Sequence, residues 1–188
     1  MKHSVVLIGY NCRLRPVEIS DSPFIVNIRN QPFAAGKIHA TSASIPDQEA
    51  WIRRYFERSG DYYWIIENAS TGASIGAIGL YDITEDNREG MPGRWVMIPQ
   101  REIMAMAPIM LMYSFAFDCL HLNRLVLTVM PGNRRVRRFH ELLGATPIAV
   151  PARYVEQEQE SGLHQDWFEL TQSVWLRTKE EWEQALRG

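Results

Sequence analysis

The sequence contains only two cysteines, Cys12 and Cys119, among its 188 residues. Their spacing matches no pattern of metal ligands, so we expect no metal site. The simplest interpretation is that both are buried free thiols, and the alternative is a disulfide between them. So few cysteines are typical of a protein in a reducing compartment.

Long hydrophobic runs are also absent. No stretch approaches the roughly 20 apolar residues that cross a membrane. The short apolar run Val5–Ile8 is smaller than the roughly 7–15 residues of a secretory signal core, and polar sequence follows it. We therefore expect a cytoplasmic protein with no membrane partner.

The chain has no excess of positive charge, because 20 Lys and Arg face 22 Asp and Glu, which gives a net charge of −2. Proteins that neutralise many phosphates along a nucleic acid usually carry a basic excess. No nucleic-acid partner is expected. The arginine-rich stretch NRRVRRFHELLGA at 133–145 is therefore interpreted as a local cluster that serves one compact ligand.

Hydrophobic residues make up 46% of the chain and charged residues 22%, which is typical of a globular domain. The length suits one domain over residues 1–188. Periodicity predicts the order strand, two helices, three strands, helix, strand, helix, two strands, helix. This order indicates an α/β (α+β) fold with a mixed, mostly antiparallel central sheet and helices on both faces.

Several element boundaries follow from local signals. We expect TEDNREGMPG to be a polar loop before the strand RWVMI, and EQEQESG to be an acidic loop between two late strands. Pro108 places the start of the buried helix near Met104 or Ala105, because proline is tolerated only in a first turn. Thr178 and Glu181 form a capping-box pattern that begins the last helix.

The turn between RWVMI and the buried helix is a candidate anion site. Free N–H groups at a helix start, together with the helix dipole, bind anions, and here they belong to roughly Ile103 to Ala107. A plain strand–helix turn is the alternative.

At this point the chain resembles a family, the GNAT superfamily of acyl-CoA-dependent N-acyltransferases, over nearly its whole length. The stretch QREIMA aligns with the family's Q/R-x-x-G-x-G/A motif, with Ile103 in place of the first glycine. The resemblance implies that Gln100 and the amides of Ile103, Met104 and Ala105 cradle the pyrophosphate of acetyl-CoA.

A second signature, N-x6-Y-x3-G-F, begins at Asn133, with His140 in the tyrosine position and Gly144-Ala145 in place of Gly-Phe. The resemblance implies that Asn133 contacts the pantetheine arm and that His140 protonates the leaving thiolate. A buried core histidine or proton delivery by water are the alternatives. Arg134 and Arg135 are expected to pair with phosphates of the cofactor. Arg137 and Arg138 are interpreted as solvated residues that pair with Glu141.

The resemblance also implies a general base and an amide that binds the thioester carbonyl. Glu89 is favoured as the base over Asp82 and Glu85 because it is nearest to the strand RWVMI. The amide is expected at Met97 or Ile98, where it would stabilise the developing oxyanion.

The acceptor side is predicted from the first helices. The pattern Arg-Asn-x-Pro, followed by a helix that contains Trp51, is similar to the ribosomal-protein N-terminal acetyltransferases and the bacterial amino-sugar acetyltransferases. Arg29 and Asn30 are candidates to bind the acceptor, although Arg29 would also complement a helix C-terminus. Tyr81 and Trp95 are candidates to line the groove, and core packing is their alternative.

These features predict an acyltransferase that moves an acetyl group from acetyl-CoA to a primary amine by direct attack in a ternary complex. The expected acceptor is an amino sugar or a protein N-terminus. The alternative is a non-catalytic binding or sensor module with a degenerate CoA site. Homodimerisation is left open.

Overall fold

An eight-stranded sheet forms the centre of the computed structural model, which describes residues 2–86, 88–100, 102–162 and 164–187, with the backbone alone at 102, 103 and 187. The strands are β1 Leu7–Gly9, β2 Cys12–Pro16, β3 Tyr62–Asn68, β4 Ser74–Thr84, β5 Glu89–Met97, β6 Arg124–Val129, β7 Thr146–Pro147 and β8 Asp166–Thr171. Their order across the sheet is β1-β2-β3-β4-β5-β6-β8-β7. The β5–β6 pair is parallel and the other neighbours are antiparallel, which confirms the predicted mixed sheet.

Six α-helices accompany the sheet in the described part of the chain: α1 Ser22–Arg29, α2 Ile45–Tyr55, α3 Glu102–Ser114, α4 Arg134–Leu142, α5 Ala152–Ser161 and α6 Gln172–Arg187. A 3-10 turn at Ile19–Asp21 precedes α1, and a π-helical turn at Phe115–Cys119 continues α3. No helix among the described residues is long and apolar enough to cross a membrane.

Alternating side chains of β3 divide the core into two layers. Tyr63 and Ile65 pack with the apolar sides of α1 and α2, whereas Trp64 and Ile66 pack with α3 and α6 on the opposite face. Successive strand residues point to opposite faces, so one strand contributes to both cores. The predicted placement of helices on both faces is confirmed.

Two predicted loops are regular structure. β5 begins at Glu89 rather than after Gly93, because Glu89 and Gly90 already pair with β6. The acidic stretch at 156–162, the second of these predicted loops, belongs mostly to helix α5. Tyr154 of α5 stacks on Trp167 with ring centroids 5.0 Å apart, and Glu158 accepts a hydrogen bond from the Trp167 indole N–H. These contacts stabilise α5, although the acidic composition of the stretch favours a loop.

Two predicted helix starts were also wrong. α3 starts at Glu102, so Pro108 lies inside the helix, where the missing N–H leaves only the Met104 carbonyl without its usual donor. α6 starts at Gln172, and the Thr178 hydroxyl donates to the Val174 carbonyl at 3.2 Å instead of capping the helix. A threonine inside a helix commonly bonds the preceding turn in this way.

Gly144, which follows α4, combines a positive φ of 87° with close packing, because a Cβ there would lie 2.6 Å from Cγ1 of Val174. We predict that Gly144→Ala lowers the free energy of unfolding by about 2–4 kcal/mol through backbone strain plus steric overlap. The matched control is Gly72→Ala, at φ of 72° with open space around it, which should cost about 1–2 kcal/mol. Urea denaturation of both variants measures the difference, and equal losses would contradict the packing assigned to Gly144.

Candidate functional site

The parallel pair β5–β6 is closed at one end and open along the rest of its length. Pairing is limited to Glu89 with Arg124 and Gly90 with Leu125. β6 nevertheless continues beside β8 as far as Val129, and β5 continues beside β4 as far as Met97. The two strands therefore diverge into a wedge, and their unpaired backbone edges face each other across it.

Met97 is the last residue of β5 and directs its backbone N–H toward this wedge. The Ile98 N–H donates to the Ile75 carbonyl at 2.8 Å, which makes Gly76 and Met97 an antiparallel pair without mutual hydrogen bonds. The N–H of Met97 consequently points away from β4 and toward β6. Of the two amides predicted for an oxyanion, that of Met97 faces the wedge and that of Ile98 is used within the sheet.

A β-bulge in β5 sends two consecutive side chains to different sides of the sheet. Arg94 and Trp95 both oppose the single residue Ile78 of β4, and Arg94 has a φ of 52°, which is uncommon for a residue other than glycine. Arg94 faces α2, whereas the Trp95 ring lies 5.9 Å from that of Phe139 in α4. The indole N–H of Trp95 is buried and has no hydrogen-bond partner among the described residues.

The predicted pyrophosphate cradle lies at the start of α3. Gln100 is in the turn before the helix, and Met104 and Ala105 are partly buried in its first turn. Ile103 is helical, but its side chain lies outside the described residues. Because only the first four amides of a helix have no acceptor within it, the start of α3 at Glu102 moves the free donors toward the N-terminus. Ile103 and Met104 remain in this first turn, whereas Met106 and Ala107, the end of the predicted set, lie too far along the helix.

The arginine stretch forms α4 and begins with a side-chain cap. The Asn133 side-chain oxygen accepts a hydrogen bond from the Val136 N–H at 3.4 Å, which is a usual helix cap. Arg134 and Arg135 are exposed in the first turn. Arg134 lines a surface cleft of about 490 Å³ along α4.

Arg137 bonds Glu141 at 3.1 Å and Asp166 at 3.2 Å. The predicted pairing of Arg137 with Glu141 on the surface of α4 is therefore confirmed.

His140 lies on the inner face of α4 with 6% of its surface exposed. Burial lowers its pKa to about 4, so the imidazole is neutral at pH 7. Its Nδ1 has no hydrogen-bond partner in the part of the chain that the structure describes. A neutral imidazole can donate a hydrogen bond, but it is a poor source of protons near pH 7. The predicted role as the acid stays a prediction.

Glu89 is buried at the closed end of the wedge, with 2% of its surface exposed. One carboxylate oxygen accepts from Arg124 at 2.7 Å and the other pairs with Arg153 at 3.0 Å. Met97 is eight residues further along β5, or roughly 26 Å at the rise of a strand. The structure therefore does not bring Glu89 and the Met97 amide together, and both Glu89 oxygens are used by cations. Glu85 and Asp82, the other sequence candidates, are exposed.

A cavity of about 370 Å³ lies on the α1–α2 side of β5. It is lined by side chains of α1, α2, β3, β5 and the segment between α1 and α2, namely Arg29, Ala40, Thr41, Ser42, Asp47, Gln48, Trp51, Arg54, Tyr63 and Arg94. Its volume lies within the usual range for small-molecule sites. Because Arg94 belongs to β5, the cavity shares a wall with the wedge.

Arg94 is held in place within the cavity by a carboxylate and by aromatic rings. It makes a two-point contact with the buried carboxylate of Asp61, one bond of which measures 2.8 Å. Its guanidinium also lies 4.2 Å from the Tyr81 ring centroid and 5.1 Å from that of Trp51. Arg94 is therefore both neutralised and rigidly positioned. Sequence reasoning missed this group, although an arginine inside an apolar strand was a usable signal.

Arg29 is the acceptor-side prediction that the structure places in the cavity. Its Nε donates to the Thr41 hydroxyl at 2.6 Å, and one Nη donates to the His39 carbonyl at 3.1 Å. Burial lowers the pKa of Arg29, and the charge of Arg94 lowers this pKa further. The His39 ring in turn lies 3.1 Å from the Gln165 amide nitrogen, just before β8.

The other three acceptor-side candidates do not line this cavity. The Asn30 amide donates to the Val26 carbonyl at 2.8 Å at the end of α1. Tyr81 packs beneath Arg94 and beside a small cluster that contains Met91. Trp95 lies on the α4 side of β5.

Comparison with known proteins identifies the family. The family model described as an acetyltransferase (GNAT) domain matches residues 11–146. The solved structure of apo FdhC, a nucleotide-linked sugar GNAT, is similar with 26% identity and a TM-score of 0.81, over 98% of this chain and 99% of that chain. A search of curated proteins gives no match.

Two further solved structures share the fold at lower identity. A GCN5-related N-acetyltransferase from Brucella melitensis has 17% identity and a TM-score of 0.78, over 98% of this chain and 86% of its own. A variant of the spermidine N-acetyltransferase SpeG from Vibrio cholerae has 18% identity and a TM-score of 0.69, over 89% of this chain and 98% of its own.

The buried His140 predicts a pH dependence of stability. The unfolded chain takes up a proton near pH 6.5 and the folded chain near pH 4, so the free energy of unfolding should fall as the pH falls between these values. The contribution of His140 is up to about 3 kcal/mol. His3, whose pKa is also lowered by burial, acts in the same direction.

Chemical denaturation of the wild type and of His140→Gln between pH 4 and 7 measures this effect. The variant should lose stability less steeply toward low pH, whereas His164→Gln, which changes an exposed histidine, should follow the wild type. Parallel curves for the wild type and His140→Gln would show that His140 is not buried in its neutral form.

Proposed function

Since this chain belongs to the GNAT acetyltransferase family, we propose that it transfers an acetyl group from acetyl-CoA to a primary amine. While both substrates are bound, the neutral amine attacks the thioester carbonyl; the C–N bond forms, the C–S bond breaks, CoA leaves as its thiolate, and the proton lost by the nitrogen passes through water to that thiolate. One observation carries this proposal: the wedge between β5 and β6 ends beside an inward-facing amide at Met97 and shares a wall with the cavity next to Arg94. Two ligands bound on either side of β5 would meet there.

The residues proposed for acetyl-CoA lie around the mouth of the wedge. The amides at the start of α3, at Ile103, Met104 and Ala105, are proposed to bind the pyrophosphate together with Gln100, because helix N-termini favour anions. Arg134 and Arg135, exposed at the start of α4, are proposed to pair with the remaining phosphate. The Asn133 side chain, which already caps α4, keeps its amide N–H groups for the pantetheine arm.

The chemical step depends on positioning and on one backbone donor. The Met97 N–H is proposed to bind the thioester carbonyl and to stabilise the negative charge that develops on its oxygen during attack. Holding the amine against the thioester supplies much of the remaining rate. No proton transfer is assigned to Glu89, because both of its oxygens are paired with arginines. His140 is proposed to donate a hydrogen bond to the leaving sulfur as a neutral imidazole.

The proposed acceptor is an amino sugar. The support is the similarity to FdhC, a nucleotide-linked sugar GNAT, at 26% identity over nearly the full length of both chains. The cavity of about 370 Å³ has room for a sugar ring, and its polar and aromatic lining suits hydroxyl groups. No feature of the described cavity favours a protein N-terminus over this acceptor.

The proposal is tested first by calorimetric titration with acetyl-CoA and by release of free CoA thiol with a panel of amino sugars and N-terminal peptides. Micromolar binding of acetyl-CoA, with turnover of at least one amino sugar, is expected. Absence of acetyl-CoA binding would instead favour a non-catalytic module with a degenerate site.

Met97→Pro removes the proposed oxyanion donor and no hydrogen bond to β4, since the Met97 N–H faces the wedge. We predict that kcat falls by about 10²–10³, while the Kd of acetyl-CoA changes little. Proline is tolerated where its missing N–H does not face a paired strand. Met97→Leu keeps the amide and controls for the side chain, so it should retain near-normal kcat. Equal kcat values for the proline and leucine variants would remove the Met97 amide from the mechanism.

A further inference from the structure

Arg29 differs from the other partly buried arginines in its lack of a counter-ion. Four arginines in the described part of the chain are of intermediate burial. Arg15 pairs with Asp21 and Glu67, Arg94 with Asp61, and Arg124 with Glu89 and Glu169. The bonds of Arg29 go to a threonine hydroxyl and a backbone carbonyl, and no carboxylate among the described residues forms an ion pair with it.

A partly buried cation without a partner is unfavourable, because the charge loses hydration and gains nothing in return. Folded proteins usually avoid this arrangement by pairing the cation with a carboxylate, as Arg15, Arg94 and Arg124 do here. The guanidinium of Arg29 faces a cavity large enough for a small molecule. An anionic group of a bound ligand would supply the missing partner.

The other charged side chains of the cavity do not compensate the positive charge of Arg29. Arg94 is neutralised by Asp61 behind it, and Asp47 accepts a hydrogen bond from the Ser42 hydroxyl at 2.7 Å. Arg54 also lines the cavity and is exposed, and its guanidinium forms no hydrogen bond or ion pair with other described residues. With Arg94 neutralised, the lining carries two uncompensated arginines, Arg29 and Arg54, against the single carboxylate of Asp47.

We infer that the acceptor carries a phosphate group and that Arg29, assisted by Arg54, binds it. A guanidinium presents paired N–H donors that match phosphate oxygens. The inference rests on the proposed function and narrows it: the acceptor is a phosphorylated amino sugar, as a sugar phosphate or a nucleoside-diphosphate sugar. A polyamine such as spermidine, whose charges are positive, is repelled by the same residues, which separates this chain from the spermidine enzyme that shares its fold.

Arg29 also anchors the segment between α1 and α2, so the test must separate charge from anchoring. Thr41→Val removes the hydroxyl that accepts from Arg29 Nε but keeps the guanidinium. Arg29→Gln removes the charge, and Arg29→Lys keeps the charge without the planar donors. Melting temperatures of the three variants identify any general loss of folding, and Arg54→Gln tests the second arginine.

The experiment is calorimetric titration with uridine diphosphate, inorganic pyrophosphate and spermidine, each in the presence of saturating acetyl-CoA so that the cofactor site is filled. At least one phosphate probe should bind the wild type. Arg29→Gln should weaken this binding by about ten- to a hundredfold, Arg54→Gln by a smaller factor, and Thr41→Val by less than about threefold. Spermidine should not bind.

The inference is overturned if neither phosphate probe binds, if binding is equal in Arg29→Gln, or if spermidine binds more tightly than both. A separate titration with acetyl-CoA alone distinguishes failure of the proposed function. Its Kd should be the same in the wild type and in Arg29→Gln. If the wild type does not bind acetyl-CoA, the acetyltransferase proposal is contradicted. If phosphate binds independently of Arg29, only the assignment of the acceptor is contradicted.

Discussion

The pairing of Glu89 with two arginines holds the site in shape. Arg124 reaches it from β6 and Arg153 from α5, so one buried carboxylate joins three elements where β5 and β6 meet. Removing one partner of a buried ion pair costs about 3–5 kcal/mol. With this end fixed, and with β5 and β6 each bound on its outer edge by β4 and β8, the two strands diverge in one direction only. The position of the Met97 amide follows from that divergence.

The bulge at Arg94 and Trp95 divides the surroundings of β5 into two compartments. On one side, Trp95 and Phe139 form an apolar wall toward α4. On the other side, Arg94 lies among aromatic rings and bonds Asp61. An apolar side suits a thioester, and a charged, polar side suits a hydrophilic acceptor. The same strand therefore separates the two proposed substrates and brings their reacting groups together at its end.

Much of the fold was predictable because it depends on local patterns. The alternation in β3, the face of α2 around Trp51 and the apolar composition of α3 each gave the correct element, and the sequence motifs gave the correct family. The errors came from long-range contacts. Helix α5 is held by the stacking of its Tyr154 on Trp167 of β8, a contact that the sequence of the helix itself does not reveal. The early start of β5 depends on its pairing with β6.

The site was predicted less completely, for the same reason. Arg29 was recognised from its local pattern, and the structure places it in the cavity. Glu89 was expected to be the base because it is near the strand in sequence. The two arginines that pair with its carboxylate come from β6 and α5, which are distant in the chain. His140 was identified from a motif, but its burial, and hence its low pKa, depends on packing against Phe168 of β8. Tertiary contacts determine whether a charged side chain has a partner of opposite charge, and these contacts cannot be read from the local sequence.

The most direct test of the wedge as the catalytic centre is a crystal structure of the protein with acetyl-CoA. We expect the thioester between β5 and β6, with its carbonyl oxygen about 3 Å from the Met97 backbone nitrogen and its methyl group toward the Arg94 cavity. A thioester bound outside the wedge, or one whose carbonyl contacts no amide of β5, would contradict this expectation.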